Sequence, residues 1–426
     1  MSPDNFALPE ATIKNGQLGP KGPKYKALVI TGNSNLTLEG VQYLRKYARA
    51  GFPVILSGGD PGFYASYDSR DRASVEKAIS VLKQSKNVYS VAAGEVAKKL
   101  HSLGLSPRVG VKTNGTWYTT WREDTVHGMD HAFVFCDTNA STGSVSILST
   151  KTPFLLDPWT GDKKPLLNYQ RKDDSVIIPL SLAGNQTVII GFQDESGPKV
   201  HVTQTSSAVL GGDSTSNGDI VLHISASTPS KPLSLSNGKH IKVPTGVASA
   251  TKLSNWTLTA EHWEAPQNMF DASIIADKHN TTHHLSSLIS WAQIEGLKNA
   301  SGLGYYSTTF SWPPPKSSGK ADGAYLVLPP IKHAARLYIN GHQLPPLDLA
   351  APRADVAPYL RVGQNQVTVV APTTMWNYIR TILGDIKNSD TTPLLSIISP
   401  TLPPRSDNGL IGEVKLVPYV KLRLEA

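Results

Sequence analysis

Leu337-Tyr338-Ile339-Asn340-Gly341 decides the fold class of the region around it. Three residues that favour extended backbone run into Asn-Gly, the pair best able to adopt the two positive φ angles of a type I′ turn. A tight hairpin follows from that order. Ala324-Tyr325-Leu326-Val327-Leu328 upstream, and Val367 to Val370 and Val414 to Val417 downstream, supply further short apolar runs. Residues 301–426 are therefore expected to form an all-β domain.

Towards the amino terminus the pattern changes twice. Residues 266–300 are polar and read as a linker or insertion, with one helical patch around Leu285 to Ile294, and residues 198–265 read as a β-rich connecting segment in which Ile220, Leu222 and Ile224 alternate with their neighbours. Residues 108–197 carry short apolar runs at Val109 to Lys112, His131 to Cys136, Val145 to Leu148, Ser175 to Leu180 and Thr187 to Phe192, each flanked by turn formers. That spacing predicts a β-sandwich.

Before Arg108 the period switches to that of helices. Tyr25 to Ile30 reads as a buried strand, Thr37 can cap a helix bearing Val41, Leu44 and Ala48 on one face, Gly51 can close it, and Phe52 to Leu56 is the next strand. Val75, Ile79 and Leu82, then Val96, Leu100 and Leu103, mark two more helices. After a lead segment over 1–24, residues 25–107 are thus expected to be a small α/β layer domain, flavodoxin- or amidotransferase-like in outline. The whole is expected to be multidomain and mainly β.

A chain of 426 residues exceeds one core of ordinary size. Its 39% hydrophobic and 17% charged residues are those of a folded protein. The net charge of +8 is spread along the length with no basic block, which argues against a nucleic-acid partner. No apolar run is long enough for a membrane-spanning helix, and no membrane partner is expected. Asn-x-Ser/Thr acceptors begin at Asn35, Asn114, Asn139, Asn185, Asn255, Asn280 and Asn299. They point to a secreted, extracellular full-length protein, yet Met1 to Asn5 opens no signal peptide, so an upstream part of the natural protein is expected to be missing.

Candidate chemistry is sparse. Gly58-Gly59-Asp60-Pro61-Gly62 lacks the spacing of a nucleotide loop and reads as a turn. Cys136, the single cysteine, lies in an apolar run and reads as a structural thiol. His279, His283 and His284 have the short spacing of metal ligands but no matching cysteine or carboxylate, so neither metal nor cofactor is expected. Glu123 with Asp124, and Glu261 with Glu264, sit at odd offsets on strands and point to opposite faces, so neither is read as a catalytic pair. Trp117, Tyr118, Trp121 and Arg122 form the densest aromatic cluster and are the candidate carbohydrate-binding residues, although core packing accounts for such rings as well.

The last domain resembles the galactose-binding-like jelly roll appended to many glycoside hydrolases. The resemblance rests on Ser301-Gly302-Leu303-Gly304-Tyr305 with Thr308-Thr309-Phe310, Leu337 to Gly341, Asp355-Val356-Ala357-Pro358-Tyr359-Leu360, Gly363-Gln364-Asn365 and Thr374-Met375-Trp376-Asn377. With the α/β and sandwich segments before it, the order is similar to the carboxyl-terminal portion of family 106, α-L-rhamnosidase-like glycoside hydrolases, fungal secreted members in particular. In that family the catalytic glutamates lie in an amino-terminal barrel, so no catalytic residue carries over. The resemblance implies a non-catalytic accessory half that supports the barrel and holds a polysaccharide or glycoside. A free-standing carbohydrate-binding protein and a glycosidase with an unrecognised site are the alternatives, and the oligomeric state is left open.

Overall fold

The computed structural model describes residues 3–63, 71–205, 208–215, 217–226, 232–268, 273, 275–387 and 403–424. They fall into two compact units, Met1–Pro107 and Arg108–Ala426.

In the first unit, β1 (Leu28–Thr31), β2 (Val54–Ser57) and β3 (Val88–Val91) form a parallel sheet. Parallel neighbours need crossover helices, supplied by α1 (Leu38–Arg49) and α2 (Asp71–Lys83), and α3 (Val96–Ser102) follows β3. Thr37 caps α1 by accepting the Gly40 N–H at 3.0 Å, and Glu39 lies in its first turn, where the helix dipole favours a carboxylate. Val41, Leu44 and Ala48 lie in one buried core with Phe52, just before β2, and with Val54 and Leu56 of the sheet.

The second unit is built of antiparallel ladders. A five-stranded sheet and a four-stranded sheet carry the β-sandwich expected from Arg108 onward. The strands are β4 (Val109–Thr113), β5 (Thr116–Arg122), β6 (Met129–Asp137), β7 (Ser141–Leu148), β8 (Thr152–Leu156), β9 (Lys163–Pro165), β10 (Gln170–Lys172), β11 (Ser175–Leu182) and β12 (Thr187–Gln193). Their orders are β9-β8-β12-β6-β5 and β10-β11-β7-β4. Strand alternation sends Ala132, Val134 and Cys136 into one core with Val145, Ile147, Val176, Ile178 and Phe192, so the cysteine is a buried packing residue.

Beyond the sandwich, β13 (Val209–Ser214), β14 (Ile220–Ser225), β15 (Trp256–Glu264), β16 (Asp277–Leu285), β17 (Gly302–Trp312), β18 (Gly323–Val327), β19 (Arg336–Ile339), β20 (His342–Gln343), β21 (Arg353–Asp355), β22 (Gly363–Pro372) and β23 (Lys415–Leu424) make two large sheets, and the helix α4 (Trp376–Lys387) follows β22. One runs β16-β15-β17-β22-β19-β20 and the other β13-β14-β23-β18-β21. Trp256, Leu258, Tyr306, Leu326, Leu337, Val367, Val369 and Leu416 belong to one core drawn from both, a two-layer β arrangement in keeping with a jelly roll. Asn340 and Gly341 have φ of 51° and 84°, as the tight β19–β20 hairpin requires.

Three local features differ from the sequence reading. Residues 277–285, read as linker, are a nine-residue strand paired along its length with β15. The helical patch near Leu285 to Ile294 reduces to one 3₁₀ turn, Trp291–Gln293, whose Ser290 caps it. The region after 301, expected to be all-β, also contains a helix, α4.

Candidate functional site

On β14 the apolar side chains of Ile220, Leu222 and Ile224 point into a core, so His223 between them must face the other side of the sheet. The ladder fixes its neighbours. Gly211 pairs with His223, His223 with Lys421, Tyr419 with Gly323, and Tyr325 with Asp355, which puts Asp213, His223, Tyr419, Tyr325, Arg353 and Asp355 on one face of five adjacent strands. Gly323 is glycine for a packing reason: a Cβ there would meet the Tyr419 ring at 2.5 Å.

These side chains form one connected network. The His223 imidazole stacks on Tyr419 with centroids 4.0 Å apart, and its Nδ1 lies 2.8 Å from the Tyr325 hydroxyl. Tyr419 donates its hydroxyl to Asp355, at 2.9 and 3.1 Å from the two carboxylate oxygens. Lys164 pairs with Asp213 at 3.3 Å, and the Arg353 guanidinium sits 4.8 Å from the Tyr325 ring centre. Burial lowers the pKa of His223 despite the pull of Asp355 and Asp213, so the ring is neutral at pH 7. A neutral ring with Nε2–H directed towards Asp213, 4.0 Å away, leaves Nδ1 to accept from Tyr325. Burial first, then the Asp355 charge, pushes the Tyr419 phenol up, and burial raises Tyr325 to about 12, so both remain donors.

Tyr325, Arg353, Asp213 and Asp355 open on a cleft of about 420 Å³ whose other walls are Leu344-Pro345-Pro346-Leu347, Tyr359, and Asp157 with Leu155 from the sandwich. Such a cleft offers carboxylate acceptors, cationic donors and a tyrosine ring within a small space. It can hold a polyhydroxylated ligand by hydrogen bonds and ring contact. Both carboxylates already have protein partners, the Tyr419 hydroxyl on Asp355 and the Lys164 ammonium beside Asp213.

The fold is similar to that of part of a solved glycoside hydrolase. The rhamnosidase from Novosphingobium sp. PP1Y superposes on 94% of this chain with a TM-score of 0.55 at 18% identity, and the match takes in 34% of that enzyme, so this chain spans about a third of its length. An α-L-rhamnosidase from Dictyoglumus thermophilum overlaps 67% of this chain and 26% of its own at 12% identity and a TM-score of 0.18. The Faecalibacterium prausnitzii β-glucuronidase overlaps 41% of this chain and 32% of its own at 14% identity and a TM-score of 0.25. No family model matches the sequence, and no curated protein matches it.

The residues picked out by sequence lie elsewhere. On β5 the pleat separates Trp117 and Trp121 from Tyr118 and Arg122. Trp117 is 7% exposed and donates its indole N–H to Ser141 at 2.8 Å, while Trp121 packs on Phe192 with Arg108 over its ring. Tyr118, 58% exposed, stacks on Phe135 on the outer face, and Arg122 is exposed on that face too. Trp121 lines a shallow cleft of about 310 Å³ with Asp130, Lys151 and Asp174, so the four residues do not converge on one ligand. All seven sequon asparagines are exposed. His279 and His283 share one face of β16, and His284 takes the other.

The cleft and the side chains that support it escaped the sequence reading because they are scattered from 155 to 419. One signal was available: a histidine at the polar position of the Ile220-Leu222-Ile224 alternation, which burial on both faces of a central strand turns into an internal polar group.

Proposed function

We propose that this chain is a non-catalytic, carbohydrate-holding part of a secreted α-L-rhamnosidase-like glycoside hydrolase resembling family 106. In that reading residues 301–426 are the galactose-binding-like domain, and the whole supports a catalytic barrel carried outside these residues. The observation that carries it is the Tyr325–Arg353–Asp355 cleft, in which both carboxylates are engaged as acceptors and the rings are braced by His223. Acceptors and cations arranged around an aromatic face suit sugar hydroxyls, and a binding role needs no group held in an unusual protonation state. Exposure of every sequon asparagine supports passage through a secretory pathway.

One observation favours a second reading. Asp213 and Asp355 lie beside the two nitrogens of a single imidazole, at 4.0 and 3.8 Å, so two carboxyl groups border one cleft. A glycosidase centred on this cleft would use them as acid and base. Calorimetric titration with rhamnose and rhamnose-containing oligosaccharides, alongside an aryl rhamnoside assay, separates the two. The binding role predicts saturable heat that Asp355→Asn weakens about tenfold, the loss of one charge-assisted hydrogen bond, with no turnover. Turnover abolished by Asp213→Asn or Asp355→Asn would establish the second reading instead.

A further inference from the structure

At the end of the β15–β16 hairpin, His262 stands directly opposite His279 in the ladder, and Glu264 is the next residue along the same face. Each offers one ligand atom, and the three atoms lie within 4.8 Å of one another. His262 is buried, whereas His279 and Glu264 are exposed. Thr281, also on this face, places its hydroxyl 2.8 Å from His262 Nε2 and 2.9 Å from His283 Nε2. On the reverse face the hairpin is braced by Trp263, which donates to Glu261 at 2.6 Å and carries the Lys278 ammonium 4.2 Å from its ring centre.

We propose that His262, His279 and Glu264 form a binding site for a divalent transition ion of the zinc class, stapling the two strands of this hairpin. Two imidazoles and a carboxylate are ligands for such an ion and a poor cage for calcium or magnesium, which take all-oxygen shells. Thr281 engages Nε2, which leaves Nδ1 for the ion and fixes the tautomer through the outer hydrogen bond that metal-bound histidines characteristically make. The two rings are stacked with centroids 4.3 Å apart. Ligand atoms around a tetrahedral ion sit roughly 3.4 Å apart, so binding draws in Glu264 and turns the exposed His279 ring out of the stack. The fourth position is left to water.

The test is titration of the metal-stripped full chain with zinc chloride, read by calorimetry and by the imidazole proton resonances. One equivalent should bind, with the His262 and His279 signals shifting together. His279→Ala and Glu264→Gln alter exposed side chains and leave the fold intact by circular dichroism, and each should weaken binding at least tenfold. Thr281→Val should cost about tenfold through the loss of the outer hydrogen bond. His284→Ala, on the opposite face, should change nothing. Absence of saturable binding, affinity unaltered by both His279→Ala and Glu264→Gln, equal loss in His284→Ala, or tighter binding of calcium than zinc would each overturn the proposal.

Discussion

His201 shows how one side chain sets a response of the fold to pH. Its ring lies flat on Tyr169, centroids 3.8 Å apart, and burial, helped by the Arg171 charge, holds its pKa down to about 4. An unfolded imidazole takes up its proton near 6.5, so between that value and about 4 the unfolded chain binds more protons than the folded one. The stabilisation is complete above pH 6.5 and is lost as the pH falls through this window. His223 and His262, also lowered by burial, act in the same direction. His201→Phe keeps the ring contact and removes the titration. Urea denaturation at pH 7 and pH 4.5 should show the variant losing about 1–2 kcal/mol less than the parent between the two, the shift being discounted for partial exposure. An identical loss in both proteins would place the acid sensitivity elsewhere.

Among the elements, those fixed by neighbours in the chain were legible and those fixed by distant partners were not. Thr37, Val41, Leu44 and Gly51 announce α1 because cap, stripe and stop are all local. The Asn-Gly turn is of the same kind, and its energetics can be checked. Asn340 has φ 51° and Gly341 φ 84°, and the Asn340 side chain also accepts from the Gln366 N–H and donates to Tyr359 O and Asn365 Oδ1. Gly341→Val imposes a β-branched residue on left-handed backbone and should cost about 1–2 kcal/mol. Asn340→Gly keeps the backbone but loses the three hydrogen bonds, for about 1–3 kcal/mol. Denaturation midpoints of the two variants test both figures, and a Gly341→Val protein as stable as the parent would contradict the turn geometry. By contrast, β16 reads Asp-Lys-His-Asn-Thr-Thr-His-His-Leu, polar up to its last residue, and becomes a strand because every residue pairs with β15. Nothing local could reveal that. The same holds for both clusters of chemistry: the cleft gathers side chains from five strands, and the metal site joins His262 to His279 across a hairpin whose second strand was invisible.

At the scale of the whole molecule, the second unit is closed by its last strand. β23 lies between β14, more than 180 residues earlier, and β18, so it is the centre of its sheet and not an edge. Val414, Leu416, Tyr419, Val420 and Leu424 are all buried, and they join two hydrophobic cores: Val414 and Leu416 belong to the one shared by the two large sheets, Val420 and Leu424 to the one around Ile220, Leu222 and Ile224. Burying side chains of this size contributes about 1.5–3 kcal/mol each, so together they supply an amount comparable with the roughly 5–15 kcal/mol that holds a typical domain folded. Removing residues 413–426 should therefore abolish cooperative unfolding of the second unit, since β14 and β18 would lose the strand between them and Asp355 in the cleft would lose the Tyr419 hydroxyl. The first unit has a core of its own, drawn wholly from residues before 108. Calorimetry of the truncated chain should retain a small transition from that unit and lose the larger one. A truncated protein that kept the larger transition, or still bound the cleft's ligand, would show that the sheet closes without β23.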